Sequence, residues 1–214
     1  MFRLVSVFMI FLFMIYAVEF TLTLSTSFSA CMWMASKMEE VEPPSVEDFV
    51  YISDNSYTKE QITGMEMTVF SSLRFRLWYT TSHMFLDEFL RASGKVTDLT
   101  RHLTLYLLEL SLLPLELSSV KPSVLCAAAV YLCRVTLGTT EISQAAVGSP
   151  NGVWTKTLEF YTGCTVFDLE DVVKVLHTYH MSAEESSLKS VYAKYKNAKY
   201  SCVALKTVPS ELGF

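Results

Sequence analysis

The stretch KPSVLCAAAVYLCRVTL at residues 121–137 is small and apolar nearly all the way round a helical wheel. Val124, Leu125, Ala127, Ala128, Ala129, Val130 and Leu132 leave it no broad polar face. A helix of this kind belongs at the centre of a bundle, with other helices packed around it. Pro122 near its start is harmless, because the first N–H groups of a helix have no intrahelical partner. The C-terminal half of the chain is thereby committed to helices around a helix.

The flanking sequence supplies the neighbours. Residues 81–92 form an amphipathic pattern through Met84, Phe85 and Phe89. Residues 97–113 carry a broad stripe of Leu99, Leu103, Tyr106, Leu107, Leu110 and Leu113. Trp154 opens a short helix. Thr165 and Asp168 have capping-box spacing before a stripe of Leu169, Val172, Val173 and Leu176. A last helix, SSLKSVYAKYKNAKY, is basic on one side. The stretch between residues 138 and 153 reads as a loop of unusual length for a compact domain. About five helices are thus expected over residues 79–180.

Upstream, residues 31–42 read as the end of a helix cut by Pro43-Pro44. Ser45 with Asp48, and Thr58 with Gln61, mark two further helix starts. The second of these helices carries Ile62, Met65, Val69, Phe70 and Leu73 at helical spacing. Phe75 and Leu77 follow and are expected against a core. No strand alternation appears, and 7 glycines and 6 prolines are few for a turn-rich β fold. The fold class is all-α.

Residues 4–18 are unbroken apolar. As a helix they would span about 22 Å, short of the roughly 30 Å hydrocarbon core of a bilayer. A signal peptide fits better, with Arg3 as a thin basic start and Ser27, Ser29 or Ala30 near a cleavage point. A third reading sets residues 1–30 apart as non-coding sequence joined to the helical remainder. Five cysteines without a CxxC pair read as buried free thiols in a reducing compartment.

No catalytic constellation is present, so the chain is expected not to be an enzyme. His177 and His180 lack a third ligand at sensible spacing and read as solvated surface residues. The acidic groups Glu39/Glu40/Glu42 and Glu184/Glu185 fall at helix ends or turns, where carboxylates serve solvation and capping. There is no phosphate-binding glycine loop. A net charge of −5 argues against a nucleic-acid surface. No cofactor, no metal and no small-molecule substrate are expected. What remains is surface recognition. Lys37, near a helix C-terminus, is explained locally by the helix dipole or functionally by a partner.

Three blocks in order carry a stronger signal: ASK-x-EE-x-x-PP from residue 35, DFVYI-x-D-x-x-YTK-x-Q from residue 48, and ME-x-x-x-x-x-x-L-x-F-x-L from residue 65. They resemble the second half of the first cyclin box of mitotic cyclins of the A and B types. YLLELSLL (106–113), KPSVLCAAAVYL (121–132), WTKTLEFYTG (154–163) and KYKNAKY (194–200) extend the resemblance, with an A-like lean. It implies a cyclin fold: residues 31–78 as the C-terminal part of the first box, 79–205 as a complete five-helix second box, and 206–214 as a tail. It also implies a regulatory subunit of a cyclin-dependent protein kinase in cell-cycle control, without catalysis of its own, in nucleus and cytoplasm. Such a subunit pushes the kinase C-helix inward and completes the Lys–Glu pair needed for phosphoryl transfer. By position in the motif, Lys37, Glu39, Glu40, Glu66, Phe75 and Leu77 are the kinase-contacting residues.

The MR-x-x-L-x-x-W docking motif of the family and an upstream destruction box do not occur. Without the earlier helices, the apolar faces of residues 31–36 and 62–73 are expected to lie uncovered, which bears on whether the chain activates a kinase. Two other classes compete. A cyclin-fold transcription adaptor of the transcription factor IIB kind needs a basic surface, against the charge of −5. A membrane-anchored or secreted helical protein needs residues 1–30 to be genuine.

Overall fold

The computed structural model describes residues 24–77, 80–94, 96–138, 150–206 and 212, and among them every regular element is helical. The chain divides into two units, residues 1–80 and 81–214. Among the described residues no helix is long and apolar enough to cross a membrane. Residues 4–18, where a signal or membrane segment was read, lie outside the described residues.

In the first unit, α1 (Leu24–Glu39) packs on α3 (Lys59–Ser72), with the short α2 (Val46–Ile52) against both. Both expected capping boxes form: Ser45 with Asp48, and Thr58 with Gln61. Each satisfies two backbone N–H groups that the helix start leaves open. The compositional boundary at residue 30 falls inside α1, where Thr26, Ser27 and Ala30 are buried. The faces expected to lie uncovered are not. Cys31, Met34 and Ala35 pack with Val69 and Leu73, while Ala30 packs with Val46, Phe49 and Ile62. The two helices bury these stripes against each other.

The end of α3 corrects a second expectation. Arg74 and Phe75 both adopt left-handed backbone, with φ of 51° and 58°. The Phe75 N–H donates to the Phe70 carbonyl at 2.9 Å, and the Arg74 N–H to Ser71 at 3.0 Å. This closes the helix in Schellman fashion without a glycine. The turn swings Phe75 outward, 66% exposed and stacked on Phe70 at 5.7 Å, rather than into a core. Leu77 is half-buried against the Cys31–Val69 cluster.

The second unit is organised by α6 (Pro122–Gly138), whose residues from Leu125 to Cys133 are all buried. Packed on α6 are α4 (Leu86–Ala92), α5 (Asp98–Leu110), α8 (Lys156–Thr162) and α9 (Val166–Met181). The short α7 (Pro150–Val153) precedes α8, and α10 (Ser190–Tyr195) packs on α5. Residues 82–85 form a 3-10 turn rather than the start of the expected helix, and Met84 is exposed while Leu86, Phe89 and Leu90 are buried. Trp154 does not open α8; Thr155 caps it. The Trp154 ring is buried, and its Nε1–H donates to the Cys164 carbonyl at 3.0 Å. The basic C-terminal helix is shorter than read, six residues followed by two 3-10 turns around left-handed Ser201 and Cys202. Residues 139–149 of the long loop lie outside the described residues.

Two buried polar links join these helices. The Glu109 carboxylate on α5 accepts from Lys194 Nζ at 2.7 Å and from the Tyr195 hydroxyl at 2.8 Å. On α6, Arg134 donates to the carbonyls of Val153 and Ser93. Cys31, Cys126, Cys133 and Cys164 are buried free thiols, and Cys202 is half-buried. Burial pushes the Cys31 thiol up to about 11 and Cys133 up to about 12, which keeps both protonated and unreactive.

His180 is not a solvated histidine. It continues the α9 stripe one turn past Leu176 and is only 4% exposed. Its ring meets Tyr106 edge-on at 5.3 Å, and among the described residues neither its nitrogens nor the Tyr106 hydroxyl has a hydrogen-bond partner. Burial, helped by the neighbouring His177, lowers its pKa to about 4. An unfolded histidine titrates near 6.5, so between pH 6.5 and 4 the unfolded state binds a proton that the native state refuses. Stability is therefore complete above pH 6.5 and falls as pH drops through that window, by about 1.4 kcal/mol per pH unit. Urea unfolding at pH 7.5 and pH 5 should show a loss of about 2 kcal/mol from this group in the wild type. His180→Phe, which keeps an aromatic ring in place, should remove that part of the loss.

Candidate functional site

The last turns of α1 carry Trp33, Ser36, Lys37 and, as the final helical residue, Glu39. The Glu40 N–H donates to the Ser36 carbonyl at 2.8 Å and closes the helix, leaving Glu40 exposed just beyond it. Trp33 and Lys37 are four apart and so lie on one face. The Lys37 ammonium sits 3.6 Å from the centroid of the Trp33 ring. A cation this close to an indole face is attracted by the ring quadrupole.

From α3, Glu66 meets the same ammonium. Its place at i+4 from Ile62 and i−3 from Val69 puts it in the buried stripe, where its side chain is only 9% exposed. Its Oε1 accepts from Lys37 Nζ, whose own side chain is 35% exposed. The pair thus links α1 to α3 with the carboxylate inside and the ammonium at the surface. An ammonium has three N–H donors. Glu66 takes one, the indole covers a side, and the solvent-facing remainder can bond a partner's carbonyl.

Of the residues expected at the site, Lys37 and Glu66 are brought into direct contact. Glu39 and Glu40 flank them at the end of α1. Leu77 packs on the shared α1–α3 cluster, and Phe75 projects from the turn after α3. Trp33 was not foreseen; its signal was an indole one turn before Lys37. Among the described residues no group of three or more His, Cys, Asp or Glu side chains could hold a metal ion. The chemistry on offer is recognition: a fixed cation and exposed apolar side chains.

Residues 7–78 match the family pattern described as "Cyclin, N-terminal domain", and residues 80–209 match "Cyclin, C-terminal domain". The chain belongs to the cyclin family. The family's first-domain match reaches back to residue 7, past the compositional boundary at residue 30. Cyclin-B1-1 of Oryza sativa subsp. japonica is 35% identical over 187 residues, covering 86% of this chain and 39% of that protein. The putative cyclin-A3-1 of Arabidopsis thaliana is 36% identical over 186 residues, 85% of this chain and 49% of that one. A Hydra viridissima protein named G2/mitotic-specific cyclin-A is 33% identical over 186 residues, 86% and 41%. The chain therefore spans two-fifths to one-half of the length of these cyclins. A-type and B-type names occur at nearly equal identity. Cyclins are regulatory rather than catalytic proteins.

The Lys37–Glu66 pair makes a stability prediction that is independent of function. Lys37→Met leaves a buried carboxylate without its cation and should cost about 1–3 kcal/mol, below the roughly 3–5 kcal/mol of a fully buried pair because Lys37 is part-exposed. Adding Glu66→Gln to that variant should return at least half of the loss. Amide exchange of α1 and α3, compared across the three proteins, measures both effects.

Proposed function

We propose that this cyclin docks on the small lobe of a cyclin-dependent protein kinase through the Lys37 edge of its first unit and drives the kinase C-helix inward. The movement completes the kinase's own Lys–Glu pair, on which phosphoryl transfer depends. The observation that carries the reading is the Lys37 ammonium, fixed at the end of α1 by Glu66 and Trp33 with a solvent-facing side left for a carbonyl acceptor. Glu66 serves the edge by holding that ammonium, while Glu39 ends α1 and Glu40 is exposed just beyond it. Phe75 and Leu77 supply the apolar contact.

Interfaces of this regulatory class bury on the order of 2,000 Å², so apolar area dominates affinity while charges set register. The role is in cell-cycle control, and the compartments implied are those of the kinase, nucleus and cytoplasm.

Pull-down and calorimetric titration with a purified cyclin-dependent kinase test the proposal. Wild type should bind. Phe75→Ala should weaken binding by about tenfold, as expected for an aromatic anchor, while the loss of its stacking on Phe70 costs the fold only about 1 kcal/mol. Lys37→Met should weaken binding by a similar factor. Absence of binding by the wild-type chain would sink the reading.

A further inference from the structure

The indole of Trp33 makes two contacts at once. Its Nε1–H donates to the Pro44 carbonyl at 3.2 Å, across the double-proline corner. Its ring face lies under the Lys37 ammonium, 3.6 Å from the centroid. The ring also borders the cluster of Ala30, Val46, Phe49 and Ile62, which anchors it to α2 and α3. A lysine side chain has four rotatable bonds and loses up to about 2 kcal/mol of rotamer freedom when fixed. Glu66 alone restrains one side of the ammonium. The indole restrains a second, and its bond to Pro44 holds the indole in turn.

We propose that Trp33 is a positioning residue of the docking edge: it holds the Lys37 ammonium in its binding orientation and ties that orientation to the Pro43-Pro44 corner. This role rests on the kinase-docking reading. Trp33 itself touches Lys37 and Pro44 and acts on the partner through Lys37.

The test combines affinity for a purified cyclin-dependent kinase with an NMR signature in the free chain. In wild type the Lys37 ε-methylene protons should be shifted upfield by the indole ring current. Trp33→Leu should remove that shift and weaken kinase binding by about fivefold, the equivalent of one cation–π contact. Trp33→Phe keeps a ring but has no N–H, and should recover binding to within about twofold of wild type with part of the ring-current shift. In a Lys37→Met background, Trp33→Leu should cause almost no further loss, because the two residues act as one unit. Wild-type binding that Trp33→Leu leaves unchanged would overturn the positioning role alone. So would an equal loss from Trp33→Leu in the Lys37→Met background, which marks Trp33 as general packing. Failure of the wild type to bind any cyclin-dependent kinase overturns the docking reading and this role with it.

Discussion

A carboxylate is not buried alone. Glu66 sits in the apolar stripe of α3, among residues that exist to pack against α1, and its charge is tolerable there only because Lys37 reaches it from the neighbouring helix. The pair makes α1–α3 packing directional. Apolar side chains such as Cys31, Met34, Val69 and Leu73 would accept several registers of one helix on the other, whereas an ion pair with one buried partner accepts few. The same contact fixes where the ammonium emerges, so the constraint that sets the helix register also sets the surface.

The second unit follows a different logic. Its organising constraint is the apolar α6, which leaves surrounding helices little choice but to enclose it. Polar links are then added at the edges of the core: Glu109 reaches Lys194 and Tyr195, and Arg134 reaches the carbonyls of Val153 and Ser93. Each joins segments distant in sequence, and each satisfies a charge that α5 or α6 would otherwise hold half-desolvated. His180 and Tyr106 stand apart, with buried polar atoms that have no partner among the described residues. Both pack in an aromatic cluster with Tyr195, whose ring lies 5.3 Å from that of Tyr106.

Much of this was legible in residues. The capping boxes at Ser45, Thr58 and Thr165 form because capping is local chemistry, decided within four residues. The stripes on α5, α6 and α9 are legible because burial follows helical period. The failures share a cause. His180 was assigned to solvent by residue type, although the stripe of Leu169, Val172, Val173 and Leu176 runs into it. Glu66 likewise lies on a buried face that only its spacing from Ile62 and Val69 could have disclosed. Phe75 was sent to a core because a helical pattern ran up to it; two consecutive left-handed residues turned it outward, and nothing in Arg74-Phe75 favours that backbone. Trp33 was passed over because its contacts are tertiary, one to Pro44 and one to a lysine whose position depends on α3.

Preorganisation unites the polar and apolar parts of the proposed docking edge. Fixing a long side chain on binding costs about 0.5–1.5 kcal/mol, and Lys37 has met much of that cost in the free chain through Glu66 and Trp33. Phe75 is held out by a left-handed turn that non-glycine residues enter at a cost of about 1–3 kcal/mol each, sustained by the Phe70 and Ser71 carbonyls and by stacking on Phe70. Folding energy has thus been committed to presenting one cation and one aromatic ring at defined positions. In the proposed docking, that turn offers the apolar area of an exposed phenylalanine to the partner.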